Sequence, residues 1–420
     1  MAKYIYYGAG SYIRSNFEKY RNQYEPLCFC DRTATGEEEL FGLPVLPPSA
    51  IFEKYPNASI LVTLQEIIKG DVQNWLVEEF GVPAERIVDF EPTLFERKLT
   101  CIHLESYVQL LQYGCKPCCQ ATNRNEPPRL VYNEGSSPQE KVYAIQEFRK
   151  RLKNSLADGI VCECTDCPTA RVNQISLKPK PLSAVAIGFS AACNLRCIYC
   201  NTNKDISVEY MKKIEPSDYV AVIEEMKRIN MVDPMFTTVD LISAGELTLV
   251  PKLADFVPML CEFKGGIVSN CTIYSDVIAE GLKIGNRYLN CSVDAGTRET
   301  YTKVKCVDYF EQVCDNLKRY ATAGRVELKY ILLPGINDSD ADMNGFIQLI
   351  DDIVEVDGNI TKVIISNNFK NKQPLGEHTL TLAAKMFKAA KARSIAAIVR
   401  ANCFLDDDYD RLVSKIKEVE

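Results

Sequence analysis

The feature that most constrains this sequence is a regular alternation of short apolar runs with helical segments in its second half. Helical periodicity is clearest at 216–229 and 309–323. The apolar runs lie at residues 184–187, 239–242, 266–268, 289–293, 328–333 and 363–365. Six strand–helix units of this spacing predict an α/β fold with a parallel barrel or partial barrel. Its active site is expected at the carboxyl ends of the strands.

The first part of the chain predicts a smaller, Rossmann-like α/β domain over residues 1–97. Its expected strands are the apolar runs at 4–7, 27–30 and 59–62. The turn at Gly8-Ala9-Gly10 lacks a third glycine, because Ile13 stands there, although Asp31 occupies the place of a ribose-binding acid. The sequence therefore leaves open a nucleotide site and a structural turn without a ligand.

The two α/β regions are joined by a predicted connector, residues 98–182, that is rich in cysteine. Residues 123–128 give a loop signal, and 139–156 read as a charged amphipathic helix. The barrel is then expected over 183–420, with a helical extension at its C-terminal end.

Composition excludes several classes of function. A formal net charge of −7 over 420 residues argues against a nucleic-acid partner, because proteins that bind nucleic acid usually present a basic surface to it. The start of the chain lacks a leader pattern, and no run approaches the roughly 18 apolar residues of a membrane span, so we expect a cytoplasmic protein without membrane contact.

The cysteine content points to metal chemistry. Eighteen cysteines in a reducing compartment favour metal binding or catalysis over disulfides. Only His103 and His378 are available, so histidine-based zinc sites and Cys-His or Ser-His-Asp nucleophiles have little to build on.

Three cysteines follow the first predicted barrel strand at close spacing, namely Cys193, Cys197 and Cys200. A 4Fe-4S cube normally takes four thiolates, so a loop that offers three leaves one iron open. An amine and a carboxylate on one small molecule can chelate that iron and place a sulfonium beside a one-electron donor. Core thiols or a zinc knuckle are the competing interpretation.

This Cys-x3-Cys-x2-Cys loop, with the aromatic Tyr199 beside its last cysteine, resembles the radical S-adenosylmethionine (radical SAM) superfamily. The resemblance implies a partial (β/α)6 barrel, a 4Fe-4S cluster and S-adenosylmethionine as cofactors, and cleavage to a 5′-deoxyadenosyl radical. It also implies reduced flavodoxin or ferredoxin as the electron donor.

Polar residues at the ends of later strands fit the same resemblance. Ala244, Gly245 and Glu246 resemble the Gly-Gly-Glu-Pro motif that receives the methionine amine, although the first glycine and the proline are changed. Ser269, Asn270 and Asp294 resemble positions that bond the ribose hydroxyls or the methionine carboxylate, and they complete the expected cofactor-binding set.

Two further residues are candidates for lining the catalytic cavity, Lys329 within the fifth strand and Asn337 after it. A lysine on a barrel strand is costly to bury unless it is paired. Lys329 is therefore expected either to contact a substrate anion or a carboxylate such as Asp294, or to point outward into solvent.

The connector carries two Cys-x2-Cys pairs, and each can grip one metal or cluster from one turn. The four predicted ligands are Cys115, Cys118, Cys164 and Cys167, for any of which Cys101, Cys119 or Cys162 could substitute. The region resembles the SPASM-like auxiliary-cluster regions of radical SAM proteins, except that it precedes the barrel. A second 4Fe-4S cluster, a structural zinc and no metal all remain open.

The favoured function is radical-initiated modification of an organic substrate. The segment 8–48 resembles nucleotide-sugar-binding domains found beside sugar-modifying enzymes, which favours a nucleotide-linked or surface sugar. The auxiliary cysteines support a peptide substrate as the alternative. A non-catalytic iron–sulfur electron-transfer protein and a thiolate–zinc scaffold are rivals from other classes.

Overall fold

The computed structural model describes residues 3–64, 66–91, 95–118, 128–165, 167, 169–176, 179–190, 192–200, 214–284, 286–368 and 372–418. The chain divides into two compact units, residues 1–98 with 172–180, and residues 99–171 with 181–420. Cys119 and most of the loop predicted at 123–128 lie outside the described residues.

The first unit is built on a five-stranded sheet in the order β3-β4-β2-β1-β5, parallel except for the β3-β4 pair. Alternate residues of β1 enter separate apolar clusters, Ile5 and Tyr7 on one side and Tyr6 on the other. The three predicted strands are confirmed. The elements are β1 (Lys3–Tyr7), α1 (Ser11–Arg21), β2 (Glu25–Cys30), β3 (Glu38–Leu40), β4 (Leu43–Leu46), α2 (Pro48–Lys54), β5 (Ser59–Val62) and α3 (Glu66–Glu78).

The cysteine-rich region contains more regular structure than its sequence predicted. The predicted amphipathic helix is present as α5, which begins with a capping box formed by Ser137 and Glu140. Strand β6 pairs with β10 in a separate two-stranded sheet. The elements are β6 (Phe95–Cys101), α4 (Ile102–Ser106), β7 (Tyr107–Leu111), β8 (Gly114–Lys116), β9 (Leu130–Val131), α5 (Pro138–Ala157) and β10 (Ala170–Ser176).

The second unit contains a ten-stranded sheet in the order β17-β16-β15-β14-β13-β12-β11-β7-β8-β9. Strands β7 and β11 to β17 are parallel, and all six predicted strands are found among them. The elements are β11 (Ala184–Ser190), α6 (Pro216–Arg228), β12 (Thr238–Ala244), α7 (Val257–Glu262), β13 (Gly265–Val268), α8 (Asp276–Lys283), β14 (Arg287–Ser292), α9 (Arg298–Lys305), α10 (Phe310–Ala323), β15 (Arg325–Leu332), α11 (Asp340–Glu355), β16 (Ile360–Asn367), α12 (Glu377–Ala392), β17 (Ala396–Val399) and α13 (Asp406–Glu418).

The two faces of this sheet differ in what they meet. On β15, Val326, Leu328 and Tyr330 belong to the main apolar core together with helix residues such as Phe346. Side chains alternate along a strand, so Lys329 lies on the opposite face, which we call the inner face. The carboxyl ends of the parallel strands meet at one edge, and the predicted site residues lie at that edge or on the inner face.

No helix in the described part of the chain combines the length and the apolar character that crossing a membrane requires.

Candidate active site

The three motif cysteines lie on a loop that follows β11, and its backbone is fastened to the last turn of α9. Arg196 N donates to Lys305 O at 2.9 Å, and Ile198 N donates to Val304 O at 3.0 Å. These two backbone bonds fasten the segment between Cys193 and Cys200 to the helix, and Leu195 N also donates to Cys193 Sγ at 3.4 Å. The loop therefore has a defined backbone before any ligand enters.

The thiols of Cys193, Cys197 and Cys200 are half-buried and close enough to affect one another. Burial raises the pKa of Cys193 and of Cys197, and the Cys200 thiol adds to both shifts. Thiolates that oppose one another's ionisation in this way become favourable together once iron neutralises them. The three residues fit a cluster that takes each thiolate at a different iron.

A single metal ion is a poorer fit to these side chains. Within the described ranges, no three cysteine, histidine, aspartate or glutamate side chains are gathered closely enough to hold one ion. A single zinc would need its four ligands around one centre, whereas a cube spreads its thiolates over several irons.

A buried network supports the cysteine loop from beneath. Lys305 Nζ lies 2.6 Å from Asp294 Oδ2, with the side chains 3% and 0% exposed, and it also donates to Tyr199 Oη at 2.8 Å. The hydroxyl of Tyr199 donates to Asp294 Oδ2 at 2.5 Å, and Ile331 N donates to Asp294 Oδ1 at 2.7 Å. Burial would lower the pKa of Lys305, but the Asp294 carboxylate outweighs it and raises that pKa.

This network changes the role expected of Asp294. Both carboxylate oxygens accept bonds inside the protein and the side chain is fully buried, so it has no surface from which to bond a ribose hydroxyl. In this structure Asp294 supports the cysteine loop, and the cofactor contact predicted for it stays a prediction. Sequence reasoning missed Lys305, because a lysine at the end of a helix is ordinarily a solvated residue.

At the end of β12 the backbone of Ala244 and Gly245 is accessible, whereas the Glu246 side chain is buried. Ala244 is exposed, and Gly245 has φ 149°, a conformation that favours glycine, so the backbone there is approachable. Glu246 is 1% exposed, and its Oε1 accepts from Thr248 N at 3.0 Å and from Ser269 Oγ at 2.7 Å. Ala244 and Gly245 are thus available to a ligand, whereas the Glu246 carboxylate ties β12 to the next strand.

Ser269 and Asn270 follow β13, and both donate hydrogen bonds to the buried Glu246 carboxylate. Ser269 is buried against Glu246, and Asn270 N donates to Glu246 Oε2 at 2.7 Å. The Asn270 side chain donates to Asn194 Oδ1 at 2.9 Å and approaches Cys193 Sγ at 3.8 Å. The structure therefore places Asn270 beside the cysteine loop, where it contacts a motif thiol.

An open cavity lies beside the cysteine loop at the carboxyl ends of β15 and β16. Ile198 and Tyr199 form its wall on the loop side, Pro334 and Ile336 line it after β15, and Asn367 lies at the end of β16. Apolar walls with amide side chains at the edge suit a flat heteroaromatic ring that also needs hydrogen-bond partners.

Asn337, which was expected to line the catalytic cavity, is instead part of the protein interior. It is 2% exposed, its Oδ1 accepts from Leu333 N at 2.8 Å, and its Nδ2 donates to Asp294 O and Ile331 O at 2.8 Å each. Every polar atom of the side chain is used to shape the turn after β15. In this structure Asn337 shapes the turn, and the catalytic role predicted for it stays a prediction.

Lys329 lies on the inner face and is half-buried there. Burial lowers its pKa, Asp294 opposes this, and Arg400 adds to it. Asp294 is not its ion-pair partner, because that carboxylate is taken by Lys305. Of the two predicted orientations, the inner one is observed.

In the cysteine-rich region the structure brings together cysteines from three segments. The same hydroxyl, Thr169 Oγ1, lies 3.3 Å from Cys101 Sγ and 3.1 Å from Cys167 Sγ. Burial raises the pKa of Cys164 to about 12, and the neighbouring thiols that add to this shift are those of Cys162, Cys101, Cys167 and Cys118. We call these five residues the connector cluster.

Cys115, predicted as a fourth ligand with these residues, lies elsewhere. It is fully buried in β8, where burial raises its pKa to about 12 and its neighbours are Arg149 and Tyr132. Strand alternation carries Cys115 into the apolar core. The predicted set of two Cys-x2-Cys pairs is therefore not assembled, and Cys101 and Cys162, which the sequence left as substitutes, join the other three.

In the first unit, Asp31 organises its own turn. Its Oδ2 accepts from Ala9 N at 3.1 Å, and its Oδ1 accepts from Thr33 N at 3.0 Å. Although burial alone would raise it, these bonds lower the pKa of Asp31. The carboxylate already joins β1 to β2, which supports the interpretation of this segment as a structural turn.

Comparison with known proteins places this site in a family. Residues 187–347 match the model of the radical SAM superfamily. A GTP 3′,8-cyclase of Chlorobaculum tepidum is 26% identical over 216 residues, covering 50% of this chain and 59% of that protein. A probable GTP 3′,8-cyclase of Saccharolobus solfataricus is 29% identical over 154 residues, covering 36% of this chain and 47% of that protein. The chain thus spans about half the length of these curated relatives.

Among solved structures, SuiB of Streptococcus suis bound to its precursor peptide SuiA is similar with a TM-score of 0.38 and 15% identity, covering 73% of each chain. A radical SAM methyltransferase of Sphaerobacter thermophilus also has a TM-score of 0.38 and 15% identity, covering 62% of this chain and 83% of that one. Scores at this level carry no information on substrate.

The family match covers the cysteine loop, the strand ends of β12 to β14 and most of the parallel sheet. The α/β fold is therefore a radical SAM partial barrel, and the expected cofactors of such a domain are a 4Fe-4S cluster and S-adenosylmethionine. Residues 187–347 of this chain thus form a radical SAM domain.

Proposed function

We propose that this protein reductively cleaves S-adenosylmethionine and uses the 5′-deoxyadenosyl radical to modify an organic substrate. The observation that carries the proposal is the loop of Cys193, Cys197 and Cys200, fastened at the carboxyl end of a parallel sheet beside an open cavity. A 4Fe-4S cluster held by the three thiolates would supply the electron for the cleavage.

Different groups of described residues are suited to bind different parts of S-adenosylmethionine. The approachable backbone at Ala244 and Gly245 suits the methionine amine, as predicted. The cavity beside Ile198, Tyr199 and Asn367 suits the adenine ring. A ligand in this cavity would cover the cysteine loop on this side, and exclusion of water limits side reactions of a radical.

For the substrate we retain a nucleotide-linked or surface sugar as the favoured class. The relatives named GTP 3′,8-cyclases support a nucleotide as the substrate class. A peptide is the alternative, for which the connector cluster is the supporting observation. Reduced flavodoxin or ferredoxin is the proposed electron donor.

The test is anaerobic reconstitution of the full chain with iron and sulfide. After reduction, electron paramagnetic resonance should show a 4Fe-4S signal that changes when S-adenosylmethionine is added, and chromatography should detect 5′-deoxyadenosine. A signal indifferent to S-adenosylmethionine, without 5′-deoxyadenosine, would leave the electron-transfer interpretation in its place.

We further propose that the connector cluster holds a second metal centre, with an iron–sulfur cluster favoured over zinc. Thr169 bridges the sulfurs of Cys101 and Cys167, and five thiols are available where four are needed. Because no three ligand side chains within the described ranges are spaced for one ion, a cluster requires less rearrangement of these residues than zinc does.

A further inference from the structure

The lysines on the inner face and beneath the cysteine loop are of two kinds, those with a carboxylate partner and one without. Lys362 is paired with the Glu327 carboxylate, and Lys305, beneath the cysteine loop, is paired with Asp294. Lys329 differs, since no described residue forms a hydrogen bond or ion pair with its ammonium group. A half-buried ammonium without a carboxylate is unfavourable unless something else supplies negative charge.

A second cation lies near Lys329. Lys329 is in register with Ile364 of β16, and Ile364 is in register with Ile398 of β17. Arg400 comes two residues after Ile398, and its backbone N–H is bound to Ile365 O at 3.0 Å. Arg400 is exposed, and within the described chain no acidic side chain pairs with its guanidinium.

A buried hydroxyl completes the arrangement. Ser366 is 1% exposed, and its Oγ has no hydrogen-bond partner among the described residues. It lies on the inner face because its neighbour Ile365 belongs to the core, and it is in register with Ile331. Buried hydroxyls nearly always have a partner, so a hydrogen-bonding atom brought to this Oγ would be favourable.

The electrostatics of these groups agree with their geometry. Burial lowers the pKa of Lys329, Asp294 opposes the shift, and Arg400 lowers it further. An anion between Lys329 and Arg400 would remove the repulsion between them and provide Ser366 with an acceptor. Apolar side chains stay accessible on the same face, with Ile242 39%, Val268 40% and Ile398 43% exposed, so a ligand with an anionic end and an apolar or ring portion is accommodated.

We propose that Lys329, Ser366 and Arg400 form a subsite for an oxyanion of the substrate, of the phosphate type, on the inner face of the barrel. This deepens the proposed function, on which it rests, by assigning an anionic substrate class. The ammonium is on β15, the hydroxyl on β16 and the guanidinium on the residue after β17. Such a set of donors suits a group with several equivalent oxygens.

The test measures binding of inorganic pyrophosphate to the full chain by isothermal titration calorimetry. Arg400→Gln and Lys329→Met should each weaken binding about tenfold or more, as expected for the loss of a charge-assisted hydrogen bond. Ser366→Ala should weaken it less, by about threefold. The matched control is Lys362→Met, which removes a lysine of the same face that already has a carboxylate partner, and it should leave affinity unchanged.

Three outcomes would overturn the subsite. Pyrophosphate affinity could be equal in all variants, or Lys362→Met could weaken it as much as Lys329→Met. A third, loss of S-adenosylmethionine affinity in Lys329→Met and Arg400→Gln with pyrophosphate binding intact, would assign these cations to the methionine carboxylate and also refute the proposal. Failure of the unaltered, reduced protein to form 5′-deoxyadenosine would count against the proposed function alone.

Discussion

The cysteine loop and the connector cluster are two groups of thiols built in opposite ways. The loop draws its cysteines from eight consecutive residues, 193–200, whose backbone is fastened to one helix end. The connector cluster draws on three segments separated by up to 66 residues of chain from Cys101 to Cys167. A group whose geometry is local can be recognised from spacing, whereas a group assembled by tertiary packing cannot.

The largest effect is expected at the loop. Replacing Cys193, Cys197 or Cys200 by Ala should abolish 5′-deoxyadenosine formation after reduction, because two thiolates do not hold a cube with one iron open. The product is measured by liquid chromatography. The control is Cys306→Ala, an exposed cysteine just after α9, which should keep activity. Activity that persists in the loop variants contradicts the central claim.

The second prediction tests whether the connector cluster is independent of the loop. A protein lacking all three loop cysteines should still carry iron and sulfide after anaerobic purification, and Cys164→Ala in that background should remove them. Elemental analysis gives the metal, and zinc in place of iron would correct the proposed centre.

Cys115→Ala in the same background is the matched control. It removes a cysteine of the region that lies in the core beside Tyr132, so metal content should not change, although the small cavity costs about 1 kcal/mol of stability. Loss of metal in this variant would restore the set predicted from spacing. A folded but metal-free starting protein would show that the connector cysteines are ordinary thiols.

The third prediction concerns the support beneath the loop. Asp294→Asn should lower the free energy of unfolding of the barrel by about 3 kcal/mol, because it leaves Lys305 buried without its counter-charge. Denaturant unfolding followed by circular dichroism measures the loss. Unchanged stability combined with weaker S-adenosylmethionine binding would return Asp294 to the ribose role predicted from sequence.

The smallest effect is expected at Asn270, whose amide approaches Cys193 Sγ at 3.8 Å. Asn270→Ala should keep the iron content and shift the cluster's reduction potential to a more negative value, since hydrogen bonds to sulfur help to set that potential. Potentiometric titration followed by electron paramagnetic resonance measures it. An unaltered potential would mean that Asn270 serves only to shape the turn through Thr272.

The sequence was informative wherever a pattern is local. Periodicity located all six barrel strands, and spacing located the cysteine loop. It gave no information where two residues that are distant in sequence determine each other's surroundings. Asp294 resembled a cofactor ligand because its partner, Lys305, is recognisable only after α9 has packed beneath the loop. The same holds for Asn337, since its side chain bonds to carbonyl groups whose positions depend on the folded turn.

The fastening of the cysteine loop to α9 has a consequence for maturation. Because Arg196 and Ile198 are already bound to the helix end, little conformational entropy remains to be lost when iron enters, and the apoprotein presents its three thiols as a preformed acceptor. Iron lost on exposure to oxygen could then be replaced without refolding of the barrel. Repair of the damaged enzyme would be limited by the supply of iron, sulfide and reductant rather than by the chain.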